Sequence, residues 1–565
     1  MKRLLSIITA IFLLSACVFT GACGKKKTVS YDPDNFLPEG TAENPYQIVK
    51  DPVTLKLFVP KSTMISSVAD LVFFKELSRV TNIKFDIIEA DVSAYTSLRT
   101  VMWENKKDLP DLLFMLNPVE EQNKYSKYGA IVRWNDPALE AGGIKVGSLI
   151  DNYMSNYKNL LENNFNTESR YSAKEIATLD DGYMYSPVCY NASTRDQTGY
   201  CMYINGKWID RLNDDYSLNL TKDPQTIEEY LTILRAFKQY DANGNGNADD
   251  EIPCTSAALL NFRNFILQSY GYVSNWVEIE NDQSGFVYVP ATDAYREYLK
   301  VMQTMYSEKL LDNSTFEMTG GSSIAVKGYD NRIGSFPDAA AYLSVGYKYE
   351  SDYIMIGPLS SEWYGNEQTY MLSHGPVFNP TAAVIPTGTP YVREIARLMD
   401  ILYTDYGTML FSFGVENENW HWNEDHTSYT FDIPADWTGT SEEYRATICP
   451  NVGIGGVFYN PYHICAALND PVMTRETKLA ERYENLIKNP IPDGLYLNDK
   501  DNNRVALLDE PLGLYVRSME YNFITGKKDS FSDGDWNTYV NTLKGYGYEE
   551  IVEIYNNTWR SKQGK

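Results

Sequence analysis

The chain has 565 residues, 43% hydrophobic and 22% charged, so it is globular and long enough for two to four compact units of ~150 residues each. Its formal net charge of −25 argues against nucleic acid and an anionic membrane face as partners, since both need clustered Lys and Arg. Only four histidines (His374, His421, His426 and His463) are available for a His-based site, whereas 44 tyrosines point either to wet clefts and interfaces or to Tyr standing in for Phe in cores.

Lys2 and Arg3 precede an apolar run from Leu4 to about Ala16. This is the layout of an export signal, and it is too short for a bilayer span of ~20 residues. Leu14-Ser15-Ala16-Cys17 and Thr20-Gly21-Ala22-Cys23 both resemble the lipobox of bacterial lipoproteins, in which the Cys becomes the lipid-carrying N-terminus. Cys23 is favoured because Gly-Lys-Lys-Lys follows it, with Cys17 as the alternative. Residues 1–22 are then a signal and 23–45 a polar tether with Pro and Gly but no periodicity. The other cysteines, Cys189, Cys201, Cys254, Cys449 and Cys465, are odd in number. A full disulfide framework is excluded, leaving buried thiols or one or two bridges.

The body opens with TLKLFVP (54–60), alternating and strand-like. VADLVFFKELSRVT (68–81) repeats its apolar positions at helical spacing. A second strand (83–90), a second helix (93–106) and a third strand (108–116) follow. This alternation predicts an α/β fold with a mostly parallel sheet, whose ligands bind beyond the carboxyl ends of its strands. Further helices are expected over 386–414, 474–488 and 549–562, and SFPDAAAYLS (335–344) reads as surface. There is no internal repeat.

Thr226 and Glu229 have capping-box spacing, and Ile227, Tyr230, Leu231, Leu234 and Phe237 form one apolar helical face. The helix runs into DANGNGNADDEIP (241–253). Asp241, Asn243 and Asn245 occupy positions 1, 3 and 5 of an EF-hand-like loop. Gly246 stands at the sharp turn, Asn247 where a backbone carbonyl serves, and Asp249 at position 9. Position 12 is Ile252 rather than Glu, and Pro253 bars a following helix, so the last ligand comes from Asp250 or Glu251. Such a loop suits Ca²⁺, which takes six to eight oxygens, better than Mg²⁺ with its stricter octahedron, and its setting points to a structural rather than a sensing ion. Dockerins carry paired copies of such loops; the single mid-chain copy here argues against that reading.

In this setting the loop resembles that of the extracellular solute-binding proteins of ABC importers, specifically the lipoprotein group that handles oligosaccharides. The resemblance also rests on FFKELSRVTNIKFDI (74–88), DLPDLLF (108–114), IATLDDGYMYSPV (176–188), PQTIEEYLTILRAFKQY (224–240), FGVENENWHW (413–422) and DWNTYVNTLKGYGYEEIVEIYNNTW (535–559), in that order. Residues 255–320 and 423–450 match no family motif. The resemblance implies a two-lobed periplasmic-binding-protein type II fold with discontinuous lobes and a hinge. Lobe 1 is expected from 46–165 plus about 320–400, and lobe 2 from about 166–319 plus 401–565. It places the calcium ligands on Asp241, Asn243, Asn245, the carbonyl of Asn247, Asp249 and Asp250. The family often has Lys where Asn247 sits and Glu where Asp250 sits.

Sugar rings have an apolar face and a hydroxyl rim, and need flat aromatics beside polar groups. Candidate platforms are Trp363, Tyr364, Trp420, Trp422, Trp208 and Trp276; candidate rim partners are Asn417, Glu418, Arg332, Asp330 and His374. The expected function is an extracytoplasmic, lipid-anchored, monomeric binding protein that captures an oligosaccharide or other small solute for ABC permease subunits on the outer face of the bacterial cell membrane. The alternatives are a surface glycan adhesin and a glycan hydrolase or lyase. Hydrolysis needs two carboxyls ~5–10 Å apart; the chain shows no nucleophile elbow, zinc motif or phosphate-cradling Gly loop.

Overall fold

The structure, a computed structural model, describes residues 31–563 apart from 106–108, 164–171, 199–200, 317–320, 367–368, 374–376, 440, 453–457, 470 and 493. Cys17, Cys23 and His374 therefore lie outside the described residues. The alternating opening segments form a sheet. Strand Val53–Lys61 pairs in parallel with Ile83–Asp91 and Leu112–Phe114, and Ala383–Val384 joins the latter antiparallel. Leu55, Leu57 and Val59 are fully buried under the sheet's first helix, Val72–Thr81, which contributes Phe73, Phe74, Leu77 and Val80. Burying each such side chain stabilises the fold by roughly 1.5–3 kcal/mol. The helix stops at Asn82, whose left-handed φ of 62° closes it.

Two large cores divide the chain. The first draws on residues between Phe36 and Tyr190 and again on Phe378 to Phe458. The second draws on Met202 to Leu359 and Leu495 to Trp559, around a small antiparallel sheet in which Cys201–Asn205 lies between Ser335–Asp338 and Tyr353–Ile356. The two-lobed, discontinuous architecture is thus present, but its boundaries differ from those expected. Residues 173–190 and 401–458 bury Ile176, Leu410, Phe411 and Ile448 in the first core rather than the second. Residues 333–359 bury Ile333, Phe336 and Leu359 on the second lobe. SFPDAAAYLS is not surface, because Ser335 and Phe336 sit fully buried in the second sheet.

Among the described residues the chain leaves lobe 1 after Asn191, returns before Phe378 and leaves again after Asn460, three crossings in all. The strands next to these crossings, Cys189–Asn191, Phe378–Asn379 and Tyr459–Asn460, are hydrogen-bonded into one three-stranded sheet. This is a hinge by construction, since the connections share one support. Residues 386–414 form two helices, Val392–Ile401 and Asp405–Phe413, broken where Thr404 caps the second. The expected helix at 474–488 ends at Arg482, and Ile487–Lys488 turns into a strand.

The tether is shorter than expected. Phe36 is buried in the first core, Leu37 donates to the Ile48 carbonyl, and Arg393 donates to the Tyr31 hydroxyl and the Pro33 carbonyl. Residues 31–45 are thus docked on lobe 1. All five cysteines of the body are free thiols.

Candidate functional site

The interlobe face is located by the contacts that span it. Lys127, just after the helix Val119–Ser126 at the carboxyl end of the third strand, pairs with Asp499 of lobe 2 at 2.5 Å. Tyr496 packs on the lobe 1 cluster of Tyr95, Leu179 and Tyr185. Lobe 2 therefore faces the carboxyl ends of the lobe 1 strands, where ligands of parallel sheets bind. The backbone there is strained and braced. Met115 and Leu116 both adopt left-handed φ, 66° and 54°. Buried Arg99 holds Glu121 in a two-pronged ion pair and donates to the Leu116 carbonyl at 2.8 Å. Asn117 follows, with its Oδ1 buried and unpartnered. Sequence reading missed Met115 and Leu116; their signal, two non-glycine left-handed residues, exists only in the backbone.

The predicted aromatic platforms do not act as one group. Trp208 is fully buried edge-on to Phe237 in the second core and is a packing residue. Trp276 is half-buried and edge-on to Tyr288 on that same core. Trp363 is 50% exposed, touching Tyr270 with its edge. Its neighbour Tyr364 is fixed through its hydroxyl by the Asn281 amide at 2.8 Å. Trp420 and Trp422 lie on a short hairpin, Trp420–Trp422 against Tyr429–Phe431. Trp420 is buried and donates its indole N–H to the Gly414 carbonyl, while Trp422 is only half-buried and leans on Trp420 and Tyr429. Ile464, on the third crossing, packs into this hairpin. Asn417 and Glu418 are exposed in the preceding turn, Asn417 with a left-handed φ of 61°. Asp330 is exposed. Trp363 on lobe 2 and Trp422 on lobe 1 thus keep part of their rings accessible.

The oxygen-rich loop is built as a series of side-chain-capped turns. The capping box forms as predicted, Glu229 N–H to Thr226 Oγ1 at 3.1 Å and Thr226 N–H to Glu229 Oε2 at 3.3 Å. After the helix, the Asp241 carboxylate accepts the N–H groups of Gly244, Asn245 and Gly246. Asn243 Oδ1 accepts Asn245 N–H, Asn245 Oδ1 accepts Asn247 N–H, and Asn247 Oδ1 accepts Asp249 N–H. Gly246 makes the sharp turn at φ 89°. The amides of Asn243 and Asn245 converge on the Asp250 carboxylate at 3.1 and 2.9 Å. Glu251 is buried with Oε1 accepting Asn243 N–H and Oε2 without a partner. Among the described residues no group of three or more His, Cys, Asp or Glu side chains stands ready as a metal cage. The loop's side-chain oxygens come largely from asparagine and accept backbone N–H groups, so a carboxylate count does not single it out. Arg332 belongs here rather than to a ligand cleft. It donates to the Asp250 carbonyl at 3.1 Å, and the residue after it, Ile333, bridges Ile252.

Three comparisons bear on this architecture. No family model matches the chain. The fructooligosaccharide ABC transporter substrate-binding protein FusA of Streptococcus pneumoniae is 22% identical over 574 residues, spanning 97% of this chain and 96% of FusA. Among solved structures, a FusA EF-hand mutant in complex with fructo-nystose superposes with TM-score 0.71 at 19% identity, covering 91% of this chain and all of that one. A solute-binding protein from Bifidobacterium longum infantis, associated with an ABC transporter and described as binding HMO, gives 0.70 at 18% identity over 90% and 99% of the two chains. The chain has the two-lobed α/β fold of solute-binding proteins, and the expected likeness to those of ABC importers is borne out over nearly its whole length.

Proposed function

We propose that this chain, with the fold of ABC-importer solute-binding proteins, captures an oligosaccharide between its lobes and hands it unaltered to membrane permease subunits. The observation that carries the reading is full-length likeness to FusA together with two cores joined by three crossings on a single sheet. Open and closed forms of such a molecule interchange, and a ligand favours the closed form because only there do both lobes touch it. The lobes already meet through Lys127–Asp499 and Tyr496, which marks the closing edge. Trp363 and Trp422 supply sugar-stacking faces, and Asn117 and Leu116 shape the lobe 1 wall. The protein works as a monomer outside the cytoplasm, moored through lipid on Cys23. No helix among the described residues is long and apolar enough to cross a membrane.

The loop of Asp241, Asn243, Asn245, Asn247, Asp249 and Asp250 holds Ca²⁺ as a structural ion. The fit rests on Asp and Asn oxygens spaced at alternate positions along one turn and on Glu251, whose buried, unpartnered Oε2 makes it a further ligand candidate. The cation offsets the crowded carboxylates and stiffens the link between helix and second sheet. One FusA structure is that of an EF-hand mutant, which supports an EF-hand-type loop in this fold.

A thermal-shift screen tests the reading with fructooligosaccharides, human-milk oligosaccharides, alginate oligosaccharides and a peptide pool, each with and without chelator. Capture of glycan raises the melting temperature by mass action. A shift with peptides and with no glycan ends the sugar assignment, and release of shortened products from any glycan would replace capture with hydrolysis.

A further inference from the structure

Lobe 1 carries a pocket of about 340 Å3 that is not part of the interlobe face. Every lining residue belongs to the first lobe. Tyr46 lies between Asn44, which donates to the Val80 carbonyl, and Ile48, which donates to the Thr81 carbonyl. The pocket therefore sits at the amino end of the strand Ile83–Asp91, opposite the ends that lobe 2 faces.

Its walls combine aromatic faces with unspent polar groups. Tyr46 and Tyr406 stack at 4.6 Å with an interplanar angle of 16°. Asn156 spends its backbone N–H and Nδ2 on the Asp400 carboxylate, which leaves its Oδ1 as an acceptor. Asn159 takes the Asn163 amide on its Oδ1, which leaves its own Nδ2 as a donor. Asp405 meets His463 through Oδ2 at 2.9 Å, leaving Oδ1 free. The hydroxyls of Tyr46 and Tyr459 have no hydrogen-bond partner among the described residues. Both rings line the same pocket as Asp405, and burial and then the Asp405 carboxylate push both phenols up. The inventory is two acceptors, one donor and two hydroxyls that serve as either. A ring with alternating hydroxyl donors and acceptors and an apolar face matches it. An anion meets repulsion from Asp405, and a bare cation finds one carboxylate only.

We infer that this pocket is a second carbohydrate site, sized for a mono- or disaccharide and separate from the interlobe cleft. Its floor residue Tyr459 lies in the sheet that supports all three crossings, so an occupant touches the hinge as well as the lobe. The inference is independent of cleft binding, and a chain that captured nothing between its lobes could still pass its test.

The test is saturation-transfer NMR and calorimetry on the mature full-length chain with D-glucose, D-galactose, D-fructose and maltose, with choline as the cationic comparison. Tyr46→Ala removes one stacking face and Asn159→Trp fills the pocket from an exposed helix position, with near-UV circular dichroism checking that both variants fold. The expected result is binding of at least one saccharide that weakens roughly tenfold in Tyr46→Ala and vanishes in Asn159→Trp. Saccharide binding unchanged in Asn159→Trp, no binding of any saccharide, or binding of choline alone would each overturn the assignment.

Discussion

Glu476→Gln tests whether the crossings are tied together as the structure implies. Arg195, on the first crossing, is 6% exposed and bonds Glu476 through Nε at 2.9 Å; Glu476, on the helix after the third crossing, is 1% exposed. Arg195 also donates to Tyr203 Oη at 3.1 Å and to the Ala339 carbonyl. Removing one partner of a buried ion pair leaves an uncompensated charge and costs about 3–5 kcal/mol. Two neutral acceptors remain on Arg195, so the lower end, ~3 kcal/mol, is expected. The double variant Arg195→Met/Glu476→Leu removes both charges and should recover most of that loss. Urea unfolding followed by tryptophan fluorescence and by calorimetry measures both, with the lobes treated as separate transitions. A cost under ~1 kcal/mol for Glu476→Gln, or a double variant no better than the single, would refute the claim that this pair stands buried and coupled.

Chelation should lower the melting temperature of the wild type, and Asp241→Ala, which removes three turn-capping bonds and a ligand, should lower it in calcium and abolish the response to chelator; differential scanning fluorimetry reads both. Glu394 is buried, and desolvation holds its carboxyl above the ordinary range. The folded chain thus keeps that proton where the unfolded chain has lost it, and the associated stability disappears as pH rises through the folded value. Glu394→Gln should therefore be stabilised relative to wild type near pH 7, with the gap closing near pH 4 in a pH series of thermal melts. Trp363→Ala and Trp422→Ala should each weaken oligosaccharide binding roughly threefold to tenfold by calorimetry, whereas Trp276→Ala should act on stability instead.

Local patterns in the sequence carried well where one element determined its own geometry. The strand at 54–60, the helix ending at Thr81 and the Thr226–Glu229 box all rest on short-range periodicity or capping, and the chain folds there as read. The lobe boundaries did not, because membership of a core depends on which distant segment a helix meets. Leu410 and Ile448 look the same in sequence whichever lobe receives them. Tryptophans were equally mute. Trp208 is on the core side of an amphipathic helix and Trp363 is at a turn, yet both read alike in sequence as stacking surfaces. Arg332 was legible as a polar partner but not as an anchor of Asp250, since a contact spanning 82 positions leaves no local trace. The 26-residue helix Asp499–Ile524 escaped notice because Pro511 interrupts its pattern.

Small-angle scattering with and without the oligosaccharide that gives the largest thermal shift tests capture between lobes most directly. The account predicts a smaller radius of gyration on saturation and no change with a non-binding sugar. A saturating oligosaccharide that leaves the scattering curve unaltered would contradict it.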